Sequence, residues 1–434
     1  MAGSKKASKE LKLEEKLKRA LVPAEEQPYE VPGNWRWIYL LDSFENQTDS
    51  RKKVLRKTYL KKGKLAVVDQ GKELVSGYTD DENMAFLGRL PVVIFGDHTR
   101  CIKYIDFPFA QGADGIKVLL PNSFYLPKAF YYALQSIEIP DLGYRRHYPL
   151  FSQFKIPLPP FAEQQRIVGC IENLFAKLDE AKEKIQTAVE GFDLRKSAIL
   201  SKAFTGGLTQ RFRNQHGIGT DSWEDVVLSD VCEINPHKIN TKNLPDDLEV
   251  SFYPMSALSE VNGEIVKPKI RLLKEVRSGF MNFSKGDVVF AKITPCMENG
   301  KSAVIGDLVN QIGYGSTEFY VLRCGERLYN RYLYHLVRAR CFRDEAKAAM
   351  NGSAGQQRVP KRFLETYPLR LPSISEQKAI SKILDEIFAK EIKIKDISNH
   401  LLSQIGVIKK SILIYAFKGK LGTNRKNEEN ALEM

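Results

Sequence analysis

The spacing of apolar residues predicts two long helices in the chain. After Pro160, apolar residues alternate at intervals of four and three, and the same spacing returns after Pro372. Such alternation is the heptad seam of a coiled coil. We expect each helix to run about 42 residues, or roughly 60 Å. The predicted coiled-coil or subunit interface is formed by Ile167, Ile171, Leu174, Leu178 and Ile185 in the first helix, and by Ile380, Leu384, Ile387, Leu401 and Ile405 in the second.

The two predicted helices are copies of one another. Residues 158–208 align without a gap with residues 371–421, and 16 of the 51 positions are identical. The second copy also carries apolar residues outside its seam, and a helix apolar on more than one stripe needs more than one partner. We therefore expect the helices to pair as an antiparallel coiled coil and to keep faces for other subunits. The alternative is that each helix packs only on its own domain.

The ends of the helices carry recognisable signals. Ser373 and Glu376 have the spacing of a capping box, with Ser373 as the N-cap. Gly206 and Gly419 stand where a C-terminal stop is expected. Neither run contains a proline that would interrupt it, so each copy is predicted to be one continuous helix.

A longer segment of mixed character precedes each helix, opened by Trp35 and Trp223. Within them lie short apolar runs broken by Gly, Pro, Asn and Asp, which are typical of strands. These runs are Leu65–Val68, Pro91–Phe95, Asp287–Phe290 and Glu318–Leu322. The two segments differ strongly in sequence. We expect an α+β fold in which two variable domains alternate with two repeated helices.

Charge and cysteine usage narrow the class of partner. The chain has 66 Lys+Arg against 53 Asp+Glu, a net charge of +13, which indicates a polyanionic partner, nucleic acid before membrane. The six cysteines form no CxxC pair and the six histidines no HxxxH pair, so we expect no metal site and a reducing cytoplasm. The sequence shows neither a secretory signal nor an apolar run long enough to span a membrane.

The sequence lacks recognisable catalytic motifs. Asn235-Pro236-His237 begins like the NPP[YF] motif of amino-methyltransferases but fails at its third position. Asn299 to Ser302 resembles the end of a phosphate-binding loop, but Pro295 stands where that loop needs glycine. We predict a non-catalytic chain without a cofactor.

Basic and amide-rich segments supply binding chemistry instead. Residues 51–64 hold eight basic residues and no acid, a composition that can neutralise several phosphates; a solvated basic loop is the alternative. Arg and Gln side chains in loops can read base edges. From these features we predict DNA contacts by Arg51, Lys52, Lys53, Arg56, Lys57, Arg145, Arg146, Lys292, Thr294, Lys301, Gln356, Gln357 and Arg358.

Several motifs together resemble the specificity subunits of type I restriction–modification enzymes. The phrase from Pro157 to Ile167, with its repeat Leu371-Pro372-x-x-x-Glu376-Gln377, is similar to the signature entering their conserved helices. Asp287 to Cys296, Glu298 to Lys301 and Gly315 to Phe319 resemble one class of target recognition domain. Val67 to Gly71, Gly77-Tyr78 and Phe95 to Thr99 resemble another. These motifs add Gln70, Tyr78, His98, Thr99, Ser316 and Thr317 to the candidate DNA contacts.

The resemblance implies a role and a domain plan. Two recognition domains would read the halves of a bipartite sequence in double-stranded DNA, while the helices separate them and bind two modification (methyltransferase) subunits, which restriction subunits join. The alternatives are an unrecognised DNA methyltransferase or nuclease, or a coiled-coil nucleic-acid-binding scaffold. The predicted parts are an N-terminal arm (1–26), target recognition domain 1 (27–157), helix 1 (158–208), target recognition domain 2 (209–370), helix 2 (371–421) and a polar tail (422–434).

Overall fold

The computed structural model divides into two compact units. Unit 1 contains Met1–Ile185 and Asn399–Met434, and unit 2 contains Gln186–Ser398. Both divisions fall inside the repeated helices, so each unit contains part of each. The structure describes residues 13–113, 115–353, 355–425 and 427–432. The first twelve residues of the predicted N-terminal arm therefore lie outside the described part.

Unit 1 contains two shorter helices, a set of strands and the first part of a long helix. The helices are α1 (Leu13–Ala20), α2 (Pro127–Ser136) and α3 (Phe161–Glu190), the last of which ends in unit 2. The strands are β1 (Arg36–Tyr39), β2 (Phe44–Asn46), β3 (Leu65–Val68), β4 (Gly77–Thr79), β5 (Val92–Gly96), β6 (Ile102–Ile105), β7 (Phe109–Gln111), β8 (Ile116–Pro121) and β9 (Lys155–Leu158).

The strands of unit 1 form three sheets. Their orders are β1-β9, β2-β8-β5-β6 and β4-β3-β7, with only the β3–β7 pair parallel. Strand β5 is paired on both sides, and every one of its residues is buried, which explains its continuous apolar sequence. The β1–β9 pair joins the start of the domain to the residues that lead into α3.

Unit 2 contains the helices α4 (Phe192–Phe204), α5 (Gln210–His216), α6 (Leu273–Val276), α7 (Asn330–Arg338), α8 (Arg340–Ala348) and α9 (Lys361–Glu365). Its strands are β10 (Glu224–Val227), β11 (Cys232–Ile234), β12 (Glu249–Tyr253), β13 (Lys269–Leu272), β14 (Met281–Phe283), β15 (Val288–Ala291), β16 (Ser302–Val304), β17 (Gly313–Gly315), β18 (Phe319–Cys324) and β19 (Pro368–Leu371). The helix α10 (Ile374–Phe417) begins in unit 2 and ends in unit 1.

The two units share a strand plan although their sequences differ. Unit 2 has the orders β10-β19, β11-β18-β15-β16 and β13-β12-β17-β14. The parallel pair β12–β17 corresponds to β3–β7. Each of the four strand runs predicted from the sequence is found, as β3, β5, β15 and β18, which confirms the α+β fold.

The repeated helices follow the prediction at their ends but not in the middle. Glycines with positive φ follow both copies, at Gly206 (81°) and Gly419 (68°), as the predicted stops require. The second copy is continuous, whereas the first is divided at Gly191, so the prediction of one unbroken helix there is wrong. Glycine weakens a helix interior, and the Gly191 amide still bonds to Thr187 O at 3.1 Å.

Within each unit the two helical segments contact each other in antiparallel order. In unit 1, Arg166 bonds to Thr423 O at 3.0 Å, and further along α3 Asp179 pairs with Lys409 at 2.6 Å. In unit 2, Leu200 and Ala203 of α4 share a core with Ile380 and Leu384 of α10. The predicted seam residues Ile167, Ile171, Ile380, Leu384 and Ile405 are buried, Leu174, Leu178, Ile185 and Ile387 are half-buried, and Leu401 is 46% exposed.

Neither a membrane span nor a metal site is found in the part of the chain that the structure describes. No described helix is both long and apolar enough to cross a bilayer. No group of three His, Cys, Asp or Glu side chains among the described residues is placed to hold a metal ion.

Candidate nucleic-acid interface

In unit 1 a buried carboxylate fixes the strand domain that precedes α3 to the start of that helix. Glu163 accepts hydrogen bonds from Trp35 Nε1 at 2.6 Å, from Thr423 Oγ1 at 3.1 Å and from Asn424 Nδ2 at 2.8 Å. The carboxylate is fully buried, and a buried acceptor of this kind needs such partners. One residue of the repeated helix therefore holds both the opening tryptophan of the domain and the segment that follows α10.

Unit 2 repeats this arrangement with an ionic partner. Glu376, also fully buried, accepts from Trp223 Nε1 at 3.0 Å, Thr209 Oγ1 at 2.6 Å and Arg213 Nη1 at 2.7 Å. The predicted capping box is only half correct. Ser373 Oγ accepts from the Glu376 amide at 3.3 Å, but the Glu376 carboxylate bonds to these buried donors.

The glutamine that follows each glutamate caps a second helix. Gln164 accepts from the amide of Leu126, the N-cap of α2, at 2.7 Å and donates to Phe124 O at 3.0 Å. Gln377 accepts from the amide of Tyr329, the N-cap of α7, at 2.8 Å and donates to Arg327 O at 2.9 Å. The repeated Glu-Gln pair thus attaches each domain to its helix.

The candidate contacts of the first domain converge on one turn. The Gln70 side chain accepts from the His98 amide at 3.1 Å, and the Thr99 hydroxyl donates to Gln70 O at 2.5 Å. The His98 ring stacks on Tyr144, with centroids 4.9 Å apart. Tyr144 is 88% exposed and precedes the exposed Arg145 and Arg146. An exposed aromatic ring beside two arginines suits contact with bases and phosphates.

Buried groups hold this turn in place. Asp97 O accepts from the amide of His147, and its carboxylate accepts from the Tyr148 amide at 2.7 Å. His147 is fully buried. Its Nε2 accepts from the Leu142 amide at 3.1 Å, which leaves Nδ1 to donate to Asp97 O at 2.9 Å.

A buried lysine also holds the turn that contains Gln70 and His98. Lys103 Nζ donates to Asp69 O at 2.7 Å and to Glu73 O at 2.5 Å. Burial lowers the pKa of Lys103, while the nearby Asp69 opposes that shift. The backbone is also closely packed, because a Cβ at Gly96 would overlap Thr99 Oγ1. These contacts fix the conformation that presents Gln70 and His98.

The predicted basic run adjoins the same turn. Its arginine Arg51 has a 92% exposed side chain, Arg56 and Lys57 are exposed, and Lys52 and Lys53 are half-buried. The Tyr59 hydroxyl lies 3.4 Å from the Asp69 carboxylate, and the backbone of Leu60 pairs with that of Tyr78 at 2.9 Å. The structure therefore brings the basic run, Tyr78 and the Gln70 turn together.

In unit 2 three loops that are distant in sequence form one surface. The Thr294 amide donates to Gln357 O at 3.0 Å, and the Lys292 amide donates to Glu318 O at 2.9 Å. Ser316 caps the loop by accepting from the Glu318 amide at 3.2 Å. Of the predicted side chains here, Thr317 and Gln356 are exposed, and Lys292, Thr294, Lys301, Ser316, Gln357 and Arg358 are half-buried.

Two of these side chains are already bonded within the protein. Arg358 makes a two-point ion pair with Glu318, with both N–O distances 2.9 Å. The hydrogen bond and the charge of Arg358 lower the pKa of Glu318 against the effect of its burial. Thr294 donates to Glu298. Arg358 and Thr294 therefore shape the surface. Within the described part of the chain, no hydrogen bond or ion pair engages the side chains of Lys292, Thr317, Gln356 and Gln357, although Lys292 Nζ lies 5.4 Å from the centre of the Tyr320 ring.

The sequence did not indicate the partners of the two tryptophans or the roles of Asp97 and Lys103. Trp35 and Glu163 are 128 residues apart, and Trp223 and Glu376 are 153 apart. The signal that could have linked them is the order Trp, variable segment, Glu-Gln, which occurs twice in the chain.

Relatives of known type share parts of this sequence. Residues 220–403 match the family model described as the type I restriction modification DNA specificity domain. The specificity subunit of the type I restriction enzyme EcoAI from Escherichia coli is 40% identical over 161 residues, which are 37% of this chain and 27% of that protein. The chain thus spans about a quarter of the length of the first relatives that it matches. The EcoR124I/EcoR124II specificity subunit of Escherichia coli is 22% identical over 81% of this chain and 86% of its own length.

A solved structure shares the fold over most of the chain. The HsdS subunit from Thermoanaerobacter tengcongensis matches with a TM-score of 0.60 at 19% identity, over 91% of this chain and 100% of that one. At this identity the likeness establishes the fold. Residues 220–403 thus match the family model of the type I restriction modification DNA specificity domain, and over 91% of its length the chain has the fold of an HsdS subunit of known structure.

Proposed function

We propose that this chain is the sequence-reading subunit of a type I restriction–modification complex and recognises a bipartite double-stranded DNA target. The observation that carries the proposal is the pair of polar loop clusters, one in each unit, on domains attached to a repeated helix by the same Trp, Glu and Gln contacts. Loops on a rigid scaffold are the usual place for recognition side chains. Residues 27–157 and 209–370 are the proposed readers.

The same proposal assigns the repeated helices to partner subunits. In α10, apolar side chains remain exposed on each side of the division, with Ile394 and Ile397 in unit 2 and Leu401, Val407 and Ile408 in unit 1. Exposed apolar patches on a helix favour protein partners. We assign these faces to two modification subunits, joined by restriction subunits. The chain itself is proposed to supply neither catalytic residues nor a cofactor, and to act in the cytoplasm.

A domain exchange tests the reading role directly. Residues 27–157 are replaced by the matching domain of a relative, and the methylated sequence is determined in cells that carry the modification subunit. We expect one half of the target to change and the other to persist. The reciprocal exchange of residues 209–370 is the control and should change the other half. A change of both halves in either exchange contradicts independent readers.

A second experiment tests the phosphate contacts of the basic run. Neutralising Arg51, Lys52, Lys53, Arg56 and Lys57 together should weaken binding to every duplex. The slope of log affinity against log salt should fall by about one for each phosphate that the variant no longer neutralises. The exposed helix lysines Lys177 and Lys182, changed to glutamine, form the control. An unchanged slope would indicate that the basic run is a solvated loop that does not contact phosphates.

A further inference from the structure

Each unit contains a cleft between its recognition domain and its helical segments. The cleft of unit 1 has a volume of about 700 Å³ and that of unit 2 about 750 Å³. In unit 1, Lys409 Nζ lies 4.9 Å from the centre of the Phe175 ring; in unit 2, Lys196 Nζ lies 5.4 Å from that of Phe388. Both residues of each pair are offset by 213 positions, so the two clefts are built on the same repeat positions.

The two clefts differ in the acid beside the lysine. In unit 1, Lys409 pairs with Asp179 at 2.6 Å. The position equivalent to Asp179 in unit 2, 213 residues later, is Ile392, which lines the cleft. Among the described residues, no carboxylate lies within 4.0 Å of Lys196 Nζ. The ammonium of unit 2 keeps its aromatic partner but has no equivalent counter-charge.

A second difference adds positive charge to the cleft of unit 2. Because Gln164 and Gln377 cap α2 and α7 at Leu126 and Tyr329, these helices correspond with an offset of 203 residues. Gln135 in the first cleft is thereby equivalent to Arg338 in the second.

Arg338 is buried and donates to carbonyl groups, at 2.8 Å to Gly300 O, 2.9 Å to Glu260 O and 2.8 Å to Val261 O. Arg343 donates to Arg338 O at 3.2 Å and to Glu298 O. Neither guanidinium forms an ion pair with a described carboxylate. Five N–H groups per guanidinium leave both arginines with donors to spare.

The three cations repel one another. Burial lowers the pKa of Lys196 to about 8, with Arg338 and Arg343 adding to that effect and Asp193 and Glu391 opposing it. Carboxylates line the same cleft, namely Asp193, Glu260, Glu264, Glu298, Asp344, Asp385 and Glu391. Because none of those described forms an ion pair with Lys196, Arg338 or Arg343, an anion held between these three cations would relieve their repulsion. The volume lies in the range of sites for small molecules, and arginine forks with a lysine suit the oxygens of phosphate.

We propose that the cleft of unit 2 binds a phosphate-bearing small ligand, with Lys196, Arg338 and Arg343 donating to its phosphate oxygens. This site is separate from the proposed DNA-reading loops and goes beyond the proposed function. The cleft of unit 1 also contains Lys410, whose amine donates to Gln135 O at 2.7 Å and to Ile137 O at 2.9 Å. Because those carbonyl groups hold Lys410, Asp179 neutralises Lys409 and glutamine replaces the buried arginine, we expect that cleft not to bind such a ligand.

The test uses pyridoxal phosphate on the full chain. Its aldehyde carbon bonds to a neutral lysine amine with loss of water, and borohydride then reduces the imine to a stable secondary amine, which is located by peptide mass mapping. At pH 7.5 we expect Lys196 to be labelled at least about tenfold faster than Lys409, because burial lowers the pKa of Lys196 to about 8, below the value of about 10.4 for a lysine in water, whereas the Lys409 ammonium is held in an ion pair with Asp179. Pyrophosphate should slow labelling of Lys196 alone. Equal labelling of the two lysines, or labelling that pyrophosphate leaves unchanged, overturns the proposal.

Competing ligands and two variants complete the design. Protection by inorganic phosphate equal to that by adenosine monophosphate indicates free phosphate, and stronger protection by the nucleotide indicates a nucleotide. If only duplex DNA protects Lys196, the small-ligand site is overturned.

Ile392→Asp restores the missing counter-charge and should abolish protection at Lys196. Asp179→Ile is the matched change in unit 1, where Gln135 stands in place of Arg338, and should leave Lys409 unprotected. The wild-type comparison stands whether or not either variant folds.

Discussion

The two units place the same glutamate in the same position and satisfy it by different means. In unit 1 the Glu163 carboxylate is bonded by neutral donors, an indole, a hydroxyl and an amide. In unit 2 the equivalent Glu376 has an indole and a hydroxyl but exchanges the amide for the guanidinium of Arg213, itself buried. The repeated glutamate is bonded by three donors in both units, and those donors are all neutral in one unit and include a charged arginine in the other.

The difference between the donors to Glu163 and Glu376 predicts how much stability each unit loses when its glutamate is removed. A neutral network that loses its acceptor strands only polar groups, at about 1–3 kcal/mol for each buried group. An ionic network that loses one partner strands a charge, which costs about 3–5 kcal/mol. Two copies of one attachment therefore should fail to different degrees when the same atom is removed.

The largest expected effect follows from removing the glutamates. Glu376→Ala should lower the free energy of unfolding by about 3–5 kcal/mol. Glu163→Ala should lower it by about 2 kcal/mol, because only the bond from the Trp35 indole is buried, whereas those from Thr423 and Asn424 are partly exposed. Urea unfolding is followed by fluorescence, in which Trp223 is the only tryptophan of residues 186–398. Adding Arg213→Met to Glu376→Ala should recover part of the stability that Glu376→Ala loses, because the arginine charge left without a partner is then removed. Equal costs for the two alanine variants would show that the ionic partner makes no difference.

In contrast to the two glutamates, Gln164 and Gln377 should cost the same stability when each is replaced. Gln164→Ala and Gln377→Ala each remove one accepted and two donated hydrogen bonds. We expect about 2 kcal/mol for each, because both leave a helix N-cap amide unpaired. The same urea titration measures both. A difference greater than about 1 kcal/mol between them would mean that the two domains are attached differently after all.

The smallest expected effect concerns the ion pairs between domain and helix. Lys128 pairs with Glu172 in unit 1, and in unit 2 Arg331 and His335 both bond to Asp385, the equivalent position. Burial opposes ionisation of Asp385, but its bonds to His335 and Arg331 prevail and lower its pKa to about 2. A carboxyl with a lowered folded-state pKa stabilises above the unfolded value near 3.9, and that contribution is lost as pH falls toward 2.

Wild-type stability should therefore fall by about 1 kcal/mol more than that of Asp385→Asn between pH 4.5 and pH 2.5, after allowance for solvent screening. Glu172→Gln, the matched change at the half-exposed pair of unit 1, should cost less than about 0.5 kcal/mol at neutral pH. Parallel pH profiles for wild type and Asp385→Asn would contradict the assignment of the lowered pKa to this pair.

The sequence predicted those structural features that are determined by residues close together in the chain. The apolar spacing of the helices, the glycines Gly206 and Gly419 and the apolar run of β5 act over a few residues. The helical state of both copies, the two stops and the strand are confirmed. The interruption at Gly191 was not predicted, although glycine in a helix interior is itself a local signal.

The candidate site was predicted less completely. Two separate motifs supplied Gln70, His98 and Thr99 as candidate contacts, and the structure brings the three residues together in one turn, which the sequence did not predict. Their supports, Asp97 and Lys103, depend on backbone groups far away in sequence, and the Glu376 side chain satisfied a capping rule while bonding elsewhere. The individual DNA contacts stay predictions, because base readout depends on how loops meet the groove.

The glutamine caps make two backbone amides sensitive to something other than their own helices. The amides of Leu126 and Tyr329 sit at helix starts, where no intrahelical acceptor exists, and each is held by a side chain from another element. Exchange of these two protons with solvent deuterium should therefore record how often each domain lifts from its helix. In one molecule, Leu126 would time that opening for unit 1 and Tyr329 for unit 2.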